Sequence, residues 1–196
     1  MIYTSYPTEA ELQAFLVNAG VVGTPPEGVQ IYLDGAAEEW ESKTGYKPFI
    51  ADAEDSTSYY DAPYPSRFLD LCGAFVSIAS LNYGVTSTSD GTDGTANSDY
   101  FAHYSGDAIV GIEFTGLPYG QRSIKIVGKK GFCTEIPARV YRAILEKAAA
   151  DYSAVATQVG DVKRIKQGPV EYELNESQIS KWAKSFDELA KTYKRI

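Results

Sequence analysis

His103 is the only histidine in the 196 residues, and it stands in the run Tyr100-Phe101-Ala102-His103-Tyr104, which reads as strand or loop. A histidine-dependent triad or a multi-histidine metal site would have to be built on that one imidazole. Glu38, Glu39 and Glu41 flank Trp40. Such a cluster could serve a hydrolase through general acid and base carboxylates, but no second pair can be placed opposite it, and it reads first as the solvated face of a helix. Asp90, Asp93, Asn97 and Asp99 offer the oxygen ligands calcium takes, at spacings that depart from the EF-hand loop and without its closing glutamate. Gly128-Lys129-Lys130-Gly131 could cradle an anion, and reads more simply as a tight turn between strand and helix. Cys72 and Cys133 lack C-x-x-C spacing and read as two buried thiols. The chain contains no G-x-S-x-G, Walker, H-E-x-x-H or G-x-G-x-x-G motif. The expectation is therefore no catalytic residue, no metal and no cofactor.

Composition points the same way. A 44% hydrophobic, 22% charged chain can build one sizeable core, and its 13% aromatic content suits sheet faces and protein interfaces. The net charge of −8 opposes tight binding to a phosphate backbone, although an acidic wall lets passing DNA slide without sticking. Met1-Ile2-Tyr3-Thr4-Ser5 has neither a basic nor an apolar leader region, and no run approaches 18 apolar residues. Neither export nor a membrane partner is expected.

The elements that would position these residues follow from local signals. Thr8-Glu9-Ala10-Glu11 is a capping box opening a helix with Leu12, Phe15, Leu16 and Ala19 on one face, ended by Gly20. Pro25-Pro26 is expected to start a second helix through Leu33, Ala36, Ala37 and Trp40, closed by Gly45. Strand-like runs follow at Tyr59-Tyr60, Arg67–Leu71, Phe75–Leu81, Ala108–Phe114 and Arg122–Val127. Between Thr86 and Asp99 a Ser/Thr/Gly/Asp-rich stretch with almost no apolar residue predicts a mobile loop at a hairpin tip. Pro137 begins a helix with Val140, Ile144, Ala148, Tyr152 and Val155 at helical spacing. Val162 to Leu174 reads as extended, broken at Gly168-Pro169, and Asn175 with Gln178 caps a last helix.

That last helix is the most informative element. Ile179, Trp182, Phe186, Leu189 and Tyr193 recur at intervals of 3, 4, 3 and 4, the narrow seam of a helix that packs on another helix or into a groove. Around it lie five cations, Lys181, Lys184, Lys191, Lys194 and Arg195, against the three carboxylates Glu176, Asp187 and Glu188. Residues 175–196 thus carry +2 and the rest of the chain −10. Packing on the chain's own domain and docking into a partner both satisfy the pattern.

The order of these motifs resembles the head-tail connector, or head-completion adaptor, proteins of tailed bacteriophages. The opening helix pair with Leu12, Leu16, Ala36, Glu39 and Thr44-Gly45-Tyr46 is similar to that family's opening. Arg67–Leu71 followed by Val76–Leu81 resembles its first hairpin. Ser123–Phe132 leading to Ile136–Val140 looks like its strand, glycine turn and proline-started helix, and Leu189–Arg195 resembles its basic tail. Residues 84–121 are longer and more polar than the family's hairpin, and Phe132 stands where the family often has tryptophan.

The resemblance implies an α+β, mainly helical adaptor fold with an N-terminal helix pair, an antiparallel β-hairpin region, a central helix and a projecting C-terminal helix. It implies an adaptor domain over 1–174, with a long polar loop about 84–107, and a docking helix over 175–196. The implied role is a structural subunit of the virion neck, forming a ring, commonly a dodecamer, that binds the portal protein and meets a tail or head-closure protein while DNA passes without specific binding. The portal contact would come from the seam residues and cations of the last helix. Another tail-completion or assembly protein is the alternative, and a carboxylate-based hydrolase the remote one.

Overall fold

The computed structural model describes residues 3–116, 118, 120–159, 164–167, 170–173 and 176–194. They form two compact units, Gly45–Thr134 and the pair of segments Met1–Thr44 and Glu135–Ile196.

The Gly45–Thr134 unit is built on a sheet. Its strands are β1 (Ser56–Tyr60), β2 (Phe68–Tyr83), β3 (Thr92–Asp93), β4 (Tyr100–Ser105), β5 (Ala108–Phe114) and β6 (Ile124–Lys130). They pair antiparallel in the order β1-β6-β2-β5-β4, with β3 against the end of β2. Period-two burial explains the arrangement, because alternate side chains of a strand reach opposite faces. Ile124 and Ile126 of β6, Leu81 of β2, Ile112 of β5 and Tyr100 of β4 turn to one side and meet in a single apolar cluster with Leu69, Leu71, Phe75 and Phe114. β2 is long because register shifts near Phe75 and Ile78 carry it from pairing with β5 to pairing with β6.

This sheet overturns the mainly helical expectation, since the described residues of Gly45–Thr134 contain no helix. Arg67–Leu71 and Val76–Leu81, read as a hairpin, lie along the single strand β2 except for Arg67, which immediately precedes it. Gly128-Lys129-Lys130 is strand rather than turn, and only Gly131, at φ 147°, bends the chain. The glycine at 128 answers to crowding: a Cβ there would lie 2.2 Å from the Ser77 carbonyl oxygen. The stretch 84–107, expected as loop, carries both β3 and β4. Its polar residues are satisfied within the stretch, as where the Thr95 N–H donates to the Asp99 carboxylate at 2.8 Å, and from β6, where Lys125 pairs with Asp90 at 3.0 Å.

The other unit holds α1 (Glu9–Asn18), α2 (Gln30–Thr44), α3 (Ala138–Val159) and α4 (Glu176–Thr192), with the hairpin strands β7 (Arg164–Gln167) and β8 (Val170–Glu173). The Thr8 N–H and hydroxyl both donate to the Glu11 carboxylate at 2.8 Å, and Gly20 takes the left-handed conformation that ends α1. α2 begins at Gln30, later than Pro25-Pro26 suggests. The prolines belong to the connection, whose Pro26 carbonyl accepts from Gln13 and whose Val29 N–H donates to Glu9. α3 opens after Pro137 as expected, burying Val140, Ile144 and Ala148. The extended reading of 162–174 agrees with β7 and β8, whereas Gly160, Gly168-Pro169 and the Asn175 cap lie outside the described residues. α4 does not project: Trp182, Phe186 and Ala190 are buried, and the helix packs along α3 and α2.

Gly128→Ala should destabilise the sheet unit by about 1–3 kcal/mol, the usual cost of forcing atoms into a packed site. Urea denaturation followed by tyrosine fluorescence checks this, and an unchanged midpoint would refute the crowding argument.

Candidate functional site

The seam of α4 is covered by the chain's own helices. Trp182 meets Phe15 with ring centroids 5.5 Å apart, and the Phe186 ring stands edge-on to Trp40 at 5.6 Å. Tyr193 tilts against the same indole at 5.6 Å. Trp40 and Phe186 have no exposed surface, while Ile179, Leu189 and Tyr193 are half-buried at the margin. Of the two readings open to the 3-4-3-4 pattern, packing in cis accounts for Trp182 and Phe186. The reason is local: α2 places Leu33, Ala36 and Trp40 on one buried stripe, which leaves an aromatic wall needing a helix against it.

An ion chain runs beside this aromatic contact. Glu39 of α2 accepts from Lys43 at 2.7 Å and from Lys147 of α3 at 3.0 Å; Lys147 also holds Asp151 at 2.6 Å, and Lys43 reaches Asp187 of α4. Three helices are thereby joined by alternating charge. Burial pushes the Glu39 carboxyl up, but the hydrogen bonds from Lys43 and Lys147 outweigh it and hold it below the usual carboxylate value. Hydrogen bonds from Lys43 to Asp187 and then to Glu39 raise the Lys43 ammonium. At Lys147 burial works downward, and the bonds to Asp151 and Glu39 carry the value upward regardless. Glu11 is lowered too, first by the Tyr141 hydroxyl and then by the Thr8 N–H. The glutamates around Trp40 are therefore no uniform solvated face: Glu38 is exposed, Glu39 bridges helices, and Glu41 accepts from Tyr6 at 2.9 Å.

The cations of α4 have a different environment. Lys181, Lys184, Lys191 and Lys194 are all exposed, and none enters an ion pair among the described residues. Lys191 and Lys194 line a groove of about 300 Å³ with Lys43, Asp187 and Ala190. Arg195 lies outside the described residues. The outward side of this helix thus offers lysines that form no ion pair among the described residues, an arrangement that attracts an acidic surface.

The remaining sequence candidates are placed singly. His103 Nε2 is 3.0 Å from the Glu113 carboxylate, and its ring stands edge-on to Phe68 at 5.2 Å. Phe68 in turn lies over Gly111, where a Cβ would come within 2.3 Å of its ring. This is an exposed cross-strand contact. Asp90 and Asp99 are spent on Lys125 and Thr95, Asp93 pairs with Asn82, and among the described residues no three His, Cys, Asp or Glu side chains converge as metal ligands. Cys133 is half-buried with Sγ 3.5 Å from the Phe49 carbonyl oxygen, rather than fully buried as expected, and the Cys72 side chain lies outside the described set. No described helix is long and apolar enough to cross a membrane.

No family model and no curated protein matches the chain. Solved structures do. A chain of the "Neck of empty GTA particle computed with C6 symmetry" superposes on 93% of this chain and 93% of its own length, with a TM-score of 0.51 and 18% identity. A chain of the "Neck of native GTA particle computed with C12 symmetry" matches over 93% of this chain and 94% of its own at 15% identity, with a TM-score of 0.49. At 18% identity the first likeness establishes a shared fold.

Sequence reasoning found α4 but missed its companion residues Lys43 and Lys147, each four positions from a carboxylate, Glu39 and Asp151, on its own helix. That spacing was the available signal.

Because the folded-state values of Glu39 and Glu11 lie below those of the unfolded chain, about 4.3, their contribution is fully present above that value and is lost as pH falls through the folded-state values. Stability measured by urea midpoint should fall below about pH 5, and Glu39→Gln should flatten that slope. An identical acid slope in the variant would contradict the role given to the ion chain. Phe186→Ala should cost about 3–5 kcal/mol. A loss under 1 kcal/mol would mean that α4 is not seated on Trp40.

Proposed function

We propose that this chain is a structural, non-enzymatic subunit of a phage-type virion neck, repeated as a ring that binds the portal protein on one side and a tail or head-closure protein on the other. The observation that carries the proposal is the fold shared, over 93% of both chains, with a component of a particle neck. The order of sequence motifs supports it independently, as does the net charge of −8, which suits a wall past which DNA moves without being held.

In this reading the portal contact belongs to the exposed cations Lys181, Lys184 and Lys191 of α4 and Lys194 just after it, together with Arg195, the next residue in the sequence. The apolar seam of Ile179, Trp182, Phe186, Leu189 and Tyr193 acts mainly by holding that helix in place. Long-range attraction between these cations and an acidic portal surface would speed encounter and weaken as salt rises.

Cryo-electron microscopy of the virion should find this chain as symmetric density between portal and tail; finding it only at the tail tip, or absent from particles, would sink the proposal. Lys184→Glu with Lys191→Glu should leave the urea midpoint within about 0.5 kcal/mol of the parent, since exposed charges contribute little to folding. The same variant should weaken portal binding about tenfold or more at low salt, as expected when charge steering is reversed. Binding unaffected by this reversal would remove α4 from the interface.

A further inference from the structure

The sheet unit ends in two edge strands that, among the described residues, pair with no further strand. On the path β1-β6-β2-β5-β4, β1 pairs only with β6 and β4 only with β5. The turn before β4 reaches its outer side at one place, where the Asn97 N–H donates to the Tyr100 carbonyl at 2.8 Å. From Phe101 to Ser105 no further strand or bridge lies there among the described residues.

Proteins blunt such edges with lysine, proline or inward charge, because an open ladder invites another strand. Within the two strands themselves no such residue occurs, and the Arg122 guanidinium beside β1 lies 5.1 Å from the Tyr59 ring centroid. β1 reads Ser-Thr-Ser-Tyr-Tyr and β4 Tyr-Phe-Ala-His-Tyr-Ser, free of lysine, arginine, carboxylate, proline and glycine. The residue types favour strands, and the lengths, five and six, match. Each edge also presents an aromatic ring on the face turned away from the apolar cluster. Tyr60 packs on the cluster, so its neighbour Tyr59 points outward and is 43% exposed; Tyr100 belongs to the cluster, so Phe101 points outward and is 46% exposed.

We infer that β4 of one copy pairs with β1 of the next, so that the sheet units of adjacent subunits join edge to edge around the ring. The occupant of each edge is a second copy of this chain, and the inference rests on the ring reading above. Strand direction gives it a specific form. Five strands, each antiparallel to its neighbour, leave the first and the fifth running the same way. Copies related by rotation about one axis keep the same sense, so β4 meets β1 in parallel, a heterologous contact that can close a ring. A two-fold dimer would instead bring β4 against β4 in antiparallel pairing. Parallel ladders are slightly weaker per residue, and a junction of five residues is weak alone. Closure, in which each copy uses both edges, supplies the remaining stability through local concentration.

The test is disulfide capture in the full chain, because neighbouring strands place Cα atoms within disulfide reach. Two double variants, Tyr59→Cys with Phe101→Cys and Tyr59→Cys with His103→Cys, cover both registers of the outward face. Oxidised in assembled particles, one of them should give a ladder of covalent oligomers while each single variant stays monomeric. Dimers formed by Phe101→Cys alone would reveal the two-fold β4 contact and overturn the inference. Absence of a ladder in both double variants, in particles whose necks contain this chain as a ring, would overturn it while leaving the neck reading intact. Were the chain missing from the neck, that reading would fail, and oxidation of the concentrated purified double variants would decide edge pairing by itself: a ladder upholds it, monomer refutes it. As a second measurement, Tyr59→Lys with Phe101→Lys should weaken each junction about twofold to fivefold, the effect of like charges facing across strands, and Tyr59→Lys with Phe101→Glu should recover it. Equal association by both pairs would also count against the contact.

Discussion

Trp40 is a large, fully buried side chain on a helix of only fifteen residues, and most of its surroundings are other helices brought to it. Its indole needs walls on several sides, and Phe186 of α4 and Tyr193 just beyond that helix supply two of them. The flanking Glu39 then cannot remain an ordinary surface carboxylate. It sits where α2, α3 and α4 converge and must be neutralised, which Lys43 and Lys147 do from two different helices. Burying an aromatic and pairing the carboxylate beside it are thus one constraint. The ion chain contributes direction more than energy, since partly exposed pairs stabilise weakly while fixing which helix lies beside which.

How much of this was legible in the sequence depends on the range of the interaction concerned. Signals completed within a few residues were readable: the capping box at Thr8 and Glu11, Gly20 ending α1, Pro137 opening α3, and the 3-4-3-4 seam of α4. Features set by distant partners were not. Gly128 looked like a turn glycine because the Ser77 carbonyl that crowds it lies fifty-one positions away along the chain. β2 looked like two strands because the register shifts near Phe75 and Ile78 interrupt its alternation, and only pairing with β5 and β6 shows it to be continuous. β4 stayed open between strand and loop because outward Phe101 and His103 blur the alternation that Tyr100 and Ala102 carry.

The same distinction governs the site. The seam residues and the cations of α4 were identified together from spacing and charge, yet spacing cannot say whether a helix finds its groove within the chain or on a partner. What decides it is the tertiary supply of aromatic surface: Phe15 and Trp40 are already placed to receive Trp182 and Phe186. In the proposed neck role, docking is accordingly given to the exposed lysines.

This separation of roles bears on how mutations in α4 are to be understood. Truncating Phe186 or Trp182 removes the packing that fixes the helix, so any loss of partner binding would follow from a displaced or unfolded α4. Reversing Lys184 and Lys191 leaves that packing untouched, because neither side chain enters the buried contacts. An aromatic seam that orders the helix in advance also lowers the entropy lost on docking, since the cations are presented on a formed backbone rather than on a segment that must fold on arrival. Complementary charge on a preformed surface gives fast, salt-sensitive association and modest intrinsic affinity. Under the proposed neck role, a subunit that finds its place in a growing assembly and is then held by many repeated contacts needs no stronger single interface.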